Sequence, residues 1–321
     1  MRQKLTLCIV LLFAAFSVFA KGAKDADKTV KVVVPKDARV FCMANMISEN
    51  RALCLPTEYV LLKSSELIQA HVIAEEADIA LLPPHIAALL YTKGVQIQVA
   101  GSISMRQLYG ITTENITGLH ELKGKTIAAV DQGSIDDIIL RSILKESGLE
   151  PDKDVFFNYI EPEEELASMF INGKISIAIV SEPELSVITC KKKNAALFLD
   201  VQEEWRNTVG ENALYPQLSL VISKKLLKKH PKYIAAFVKA LEESIAWAQN
   251  NPKKAGEKTA ALTDFSSAAL LTQAIPRMNL EWSPIKENLS AIKTYFRILA
   301  EANARLIGGK LPDEAFYFLS K

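Results

Sequence analysis

The chain has 321 residues, 49% of them hydrophobic, and carries 38 Lys and Arg against 37 Asp and Glu, a formal net charge of +1. So near a balance removes the electrostatic basis for binding nucleic acid or an anionic membrane surface. The length and apolar content suffice for a large buried core, and chains of this size usually divide into two lobes of about 100–200 residues.

Residues 1–20 differ in kind from the rest. Arg2 and Lys4 precede an almost unbroken apolar run from Leu5 to Phe19, closed by Val18-Phe19-Ala20. Basic start, apolar middle and small-residue exit form the layout of a secretory signal peptide, with cleavage expected after Ala20. A retained membrane anchor is the alternative, although a spanning helix wants about 20 apolar residues. A lipoprotein would need a cysteine just after the run, and Cys8 lies inside it. Beyond Ala20 no second long apolar stretch occurs, and 36 basic side chains face 37 acidic ones. Residues 21–28 read as a flexible lead-in. Export leaves Cys42, Cys54 and Cys190, an odd number that excludes a fully paired framework. Free, mostly buried thiols are expected.

The strand pattern begins at Thr29 to Val34 and stops at Pro35. Helical spacing follows over Ala38 to Ser48, a strand over Tyr59 to Leu62, and a helix over Ser65 to Glu75 capped by Ser64 or Ser65. Asp78 to Leu82 is a short strand ended by Pro83-Pro84, His85 to Tyr91 a helix, and Val95 to Ala100 a strand. The alternation restarts with Thr126 to Val130, a helix from the Gln132-Gly133-Ser134 turn to Glu146, Val155 to Tyr159, a helix over Glu163 to Asn172, Ile175 to Val180, and Ala196 to Leu199. Short connections between alternating strands and helices are the sequence form of a parallel sheet with helices on its faces. After Leu218 to Ser223 only helices are expected, over 232–249, 266–275 and 285–307, with no returning strand. The architecture is therefore α/β: two lobes with a helical C-terminal tail, joined by extended crossings near 108–112 and 215–221.

Chemistry for catalysis is sparse. His71, His85, His120 and His230 are scattered without metal-ligand spacing, and no GxSxG elbow occurs. Gly124-Lys125-Thr126 lacks the upstream glycine of a phosphate-binding loop and precedes its strand instead of following it. Glu161, Glu163, Glu164 and Glu165 sit at a helix start, where acids favour the helix dipole. The lysine runs 191–193 and 224–232 read as solvated surface. No catalytic residue, metal site or cofactor is expected. What remains is a set of loops at the carboxyl ends of strands, where open α/β sheets leave their crevice: Lys36 to Arg39, Ser64-Ser65, Pro83-Pro84-His85, Gln132-Gly133-Ser134 and Ser181-Glu182-Pro183. Gly133 permits a tight turn, and Ser134 opens a helix whose first amides point at the crevice.

Five segments carry a family resemblance: ADIALLPPHIAALLYTKG (77–94), LKGKTIAAVDQGSIDDIILRSIL (122–144), GLEPDKDV (148–155), INGKISIAIVSEPELS (171–186) and GGKLPDEAFYF (308–318). They resemble the periplasmic substrate-binding proteins of ABC transporters grouped with thiamine-precursor, aliphatic sulfonate, taurine and nitrate binding. The resemblance implies a type 2 periplasmic-binding fold, with lobe one over 29–110 plus 217–321 and lobe two over 111–216. It implies an exported, monomeric receptor that closes on a small polar solute and delivers it to a permease driven by a separate ATPase. By position it places solute contacts around Arg39, Ser64, Pro83, Gln107, Gln132, Gly133, Ser134 and Glu182. The charged first loop, 35–39, departs from the small residues of many relatives, which leaves room for a different solute. An enzyme on the same fold, a pyrimidine-precursor synthase or a dehydratase, stays open as an alternative. The cysteine-rich motif of the pyrimidine-forming branch is absent. A sensory binding lobe is the third reading.

Overall fold

The computed structural model describes residues 28–104, 108–210, 215–264, 267–278 and 280–319. The expected signal segment, nearly all of the lead-in, and Gln107 lie outside the described residues. Among those described, no helix is long and apolar enough to cross a membrane.

Two sheets organise the chain. In the first, β1 (Val30–Pro35) pairs in parallel with β2 (Thr57–Leu62) on one side and β3 (Ile79–Leu82) on the other. Val30, Val32, Val33 and Val34 are fully buried. A continuous valine run, not an alternating one, is what a strand covered on both faces requires. Then comes β4 (Ile97–Ser104).

The second sheet opens with β5 (Leu108–Thr112), which pairs antiparallel along its whole length with strands of this sheet. The expected lobe boundary at residue 110 would cut that strand in two. Around it stand β6 (Thr126–Ala129), β7 (Phe156–Tyr159), β8 (Ile177–Ser181) and β9 (Ala196–Asp200), in the order β7-β6-β8-β5-β9. The chain then returns as β10 (Leu218–Ser223), inserted antiparallel between β3 and β4. Each sheet thus holds one antiparallel strand carrying the chain across from the other.

A strand does come back in the tail, against expectation. β11 (Glu281–Pro284) pairs antiparallel with β4 at the sheet edge, giving the order β11-β4-β10-β3-β1-β2. Its four residues, EWSP, are too few and too polar to show a period, and proline is compatible with an edge. Gly101 makes the pairing possible, since a Cβ there would lie 2.3 Å from the Trp282 ring.

The tail is otherwise helical: Lys224–Lys229, Pro231–Asn250, Pro252–Leu262, Ala268–Met278 and Leu289–Asn303. The lysine run at 224 therefore builds a short helix, capped by the Ser223 hydroxyl. The helix expected from Ala38 starts as a 3-10 turn over Ala38–Met43, capped by Asp37, which accepts from the Arg39 amide. Cys42, Cys54 and Cys190 are free, yet only Cys42 is buried, which corrects the expectation for the other two.

One apolar cluster spans both sheets. It includes Val33, Leu82 and Val99 of the first, Ile127 and Ile179 of the second, and Trp205, Tyr215, Tyr295 and Phe296 between them. Separate clusters fill the outer face of each sheet.

Candidate functional site

The carboxyl ends of β1 and β8 meet across a cleft. One cavity of about 270 Å³ is lined by Asp37, Ala38 and Arg39 from the first loop, Ser181 and Glu182 from the end of β8, and Leu108, Asp136 and Gln217. A second of about 300 Å³ shares Leu108, Asp136 and Ser181 and extends along β6 to Ser134, Asp137, Leu140 and Glu163. The crossing strands explain the position: Leu108 opens β5 and Gln217 immediately precedes β10, so the chain passes the cleft each time it changes sheet.

Of the eight residues expected to touch a solute, Arg39, Ser134 and Glu182 line these cavities. Ser64, Pro83, Gln132 and Gly133 do not. Ser64 caps the Ser65–Ile73 helix, accepting from the Leu67 amide at 3.4 Å, and Pro83 precedes the first turn of the Pro84–Thr92 helix.

Arg39 is held by its neighbour. Its Nε lies 2.9 Å and 3.1 Å from the two Asp37 carboxylate oxygens. A fork held this way is fixed in direction and largely neutralised.

The Gly133 turn is built as expected, with φ +78°, but its amide is occupied. It donates at 2.9 Å to Asp137. Asp137, nearly buried, also accepts from Tyr159 Oη at 2.7 Å and Arg141 Nε at 3.0 Å, while its own amide donates to Ser134 Oγ at 3.2 Å. Arg141 continues to Asp152 at 2.6 Å and lies 4.3 Å from the Phe157 ring centre. One carboxylate thus secures the turn, the helix start and the edge strand.

Glu182 is equally engaged. Its side chain is 1% exposed and accepts from Ser186 Oγ at 2.7 Å, the Ser186 amide at 3.2 Å, and Arg277. Arg277 also donates to Ser186 Oγ, and its carbonyl accepts from Tyr109 Oη at 2.6 Å. Arg277 lies on the Ala268–Met278 helix, so this network ties the tail helices to the second sheet.

Two acids were not expected in the cleft. Glu163, read as a dipole-favouring helix start, accepts from Ser181 Oγ at 2.8 Å and the Ser181 amide at 2.5 Å. Burial raises its pKa, opposed by the Ser181 bonds and reinforced by the nearby Asp136. Asp136 accepts from Tyr215 Oη. Burial pushes its carboxyl up too, the Tyr215 bond pulls it down, and Asp131 adds repulsion. Asp136 is exposed to solvent at the cleft it lines, so the upward push from burial is moderated by water. The available signal was position alone: both acids stand in the first turn of a helix directly after a strand of this sheet.

His85, at the start of the Pro84–Thr92 helix, has its Nδ1 buried without a partner. Burial pushes its imidazole down from 6.5 to about 4. The folded state therefore keeps it neutral where the unfolded chain binds a proton, so stability should fall as pH drops from about 6.5 towards 4. The loss attributable to this group is up to about 3 kcal/mol. Urea unfolding from pH 7 to pH 4 should be visibly less pH-dependent in His85→Gln; an identical slope would place the acid sensitivity elsewhere.

Among the described residues no group of three His, Cys, Asp or Glu could hold a metal ion. The fold has solved counterparts. A crystal structure described as an ABC transporter from Parabacteroides distasonis is 25% identical, covers 92% of this chain and 100% of its own, and superposes with a TM-score of 0.76. The periplasmic aliphatic sulphonate binding protein SsuA from Escherichia coli is 14% identical over 91% of this chain and 92% of its own, with a TM-score of 0.70. The alkanesulfonate-binding SsuA from Xanthomonas axonopodis pv. citri, bound to MOPS, is 14% identical over 89% and 94%, with a TM-score of 0.59. These establish the two-lobed periplasmic-binding fold. No curated protein matches the sequence. The family model described as NMT1/THI5 like matches residues 58–255, well over half of the chain, and this protein belongs to that family.

Proposed function

We propose that the chain is an exported solute-binding receptor of an ABC importer, closing two lobes around a small polar organic solute. The observation that carries this reading is the cleft itself. It lies between two sheets joined by two crossing strands, lined from both sides by strand-end loops, in a chain whose family and fold include binding proteins of ABC transporters. The partners would be a permease with its ATPase, and the receptor would act as a monomer. The basic, apolar and small order of residues 2–20 supports export. Because β5 belongs wholly to the second sheet, we assign all of it to the second lobe and place one hinge near Gln217.

Arg39, Ser134 and Asp136 would face the solute, with Glu182 and Asp137 as positioning residues behind them. A ligand that touches both lobes binds the closed state better and shifts the population towards it. Small-angle scattering on the exported form, saturated with a compound that raises its melting temperature, should show a smaller radius of gyration. An unchanged radius would refute hinge closure. Conversion of the bound compound to a product would favour the enzyme reading on the same fold.

A further inference from the structure

The charges on the cleft walls point to a class of solute, an inference that rests on the receptor reading above. Six carboxylates line the two joined cavities, from Asp37, Asp131, Asp136, Asp137, Glu163 and Glu182, and one arginine, Arg39. Three of the six hold a counter-charge: Asp37 holds Arg39, Asp137 holds Arg141, and Glu182 holds Arg277. Among the described residues, Glu163 and Asp136 are bonded by uncharged donors alone, Glu163 by the Ser181 amide and hydroxyl and Asp136 by the Tyr215 hydroxyl. Asp131, beside it, pairs with no lysine or arginine among the described residues. Among the described residues that line the cleft, the one arginine, Arg39, is already paired with Asp37.

A sulfonate or nitrate entering this cleft would meet uncompensated like charge in a partly dry cavity, where repulsion is weakly screened. A protonated nitrogen would meet an acceptor already aimed by Tyr215. Leu108, Ile135, Leu140 and Ile179 supply apolar walls beside the acids, which suits a carbon skeleton and not a hydrated metal ion. We propose that the solute is a small organic cation, whose ammonium, amidinium or guanidinium head donates to Asp136 while its body lies against these apolar side chains. Asp131 contributes long-range attraction, and Arg39, locked by Asp37, closes the far end as a hydrogen-bond donor.

The test uses matched pairs sharing a body and differing in the head: butylamine and butylguanidine against butanesulfonate, and benzamidine against benzenesulfonate and neutral benzamide. Thermal shift and calorimetry on the exported form should show binding by members of the cationic set and none by the sulfonates. Affinity for the cation should fall with added salt. It should also fall on acidification, beginning above the ordinary carboxylate range because burial raises Asp136. Asp136→Asn, which keeps an acceptor for Tyr215, should lose at least tenfold in affinity with the ligand-free melting temperature retained. If that variant fails to fold, Asp131→Asn on the exposed neighbour should still weaken cation binding and steepen no other property. Preferential binding of the sulfonates or benzamide, or silence of every cation, overturns the cationic class and leaves the receptor reading standing. Turnover of any probe overturns the receptor reading itself.

Discussion

Arg277→Met should lower the stability of the ligand-free protein by about 3–5 kcal/mol, the usual cost of removing one partner from a buried ion pair. The reason lies with Glu182, whose side chain is 1% exposed and would retain only Ser186 as a partner. The converse change is milder. Glu182→Gln leaves Arg277, one-third exposed, free to turn to water, and should cost about 1–3 kcal/mol, the price of an imperfect replacement hydrogen bond. The double variant should be more stable than Arg277→Met alone, since no charge is then stranded. Urea midpoints of the three variants measure this directly. If Arg277→Met and Glu182→Gln cost the same and add in the double variant, the two side chains do not act as a pair. Because Arg277 sits on a tail helix and Glu182 at the end of β8, the same substitutions also report on how firmly the tail is tied to the second sheet.

The second large effect is expected at Trp205. The indole is fully buried, its ring centre 6.0 Å from that of Tyr215 and 6.4 Å from that of Tyr295. These rings belong to the apolar cluster that runs through both sheets. Trp205→Ala would open a cavity at that junction and should cost about 3–5 kcal/mol. Trp205→Phe should cost much less, because the indole N–H has no partner to lose and an aromatic body is retained. The larger substitution should also reach the cleft. Tyr215 packs on Trp205, receives support from Gln202, which accepts from its amide at 3.1 Å, and donates through its hydroxyl to Asp136. Trp205→Ala should therefore weaken solute binding beyond its effect on stability, measured at a temperature where the variant is fully folded. Unaltered affinity would show that the Tyr215–Asp136 contact is held without the indole.

Local sequence was enough for the frame. The buried valine run of β1, the proline that ends β1 and the prolines that follow β3, and the Ser64 and Ser134 caps each act within a few residues, where backbone geometry and hydrogen bonding leave little freedom. The same locality placed Arg39, Ser134 and Glu182 at strand ends on one crevice. It also explains the omissions: β11 and the Glu184–Lys191 helix are too short to show a clear period, and the helices Val201–Val209 and Pro252–Leu262 lie in charged segments.

What each cleft residue does was decided only by the tertiary structure. Glu182 reads from sequence as an acceptor waiting for a solute, and the fold brings Arg277 to it across 95 positions. Asp136 was not singled out from the sequence, and the fold brings Tyr215 to it across 79 positions. Gly133 has the turn that presents an amide to an anion, and Asp137 four residues later has already taken that amide. A carboxylate's residue type states its charge and its reach, whereas its role depends on whether a counter-charge arrives from a distant segment. That depends on chain topology, the return of β10 and the tail over the second sheet, which no local pattern of residues encodes.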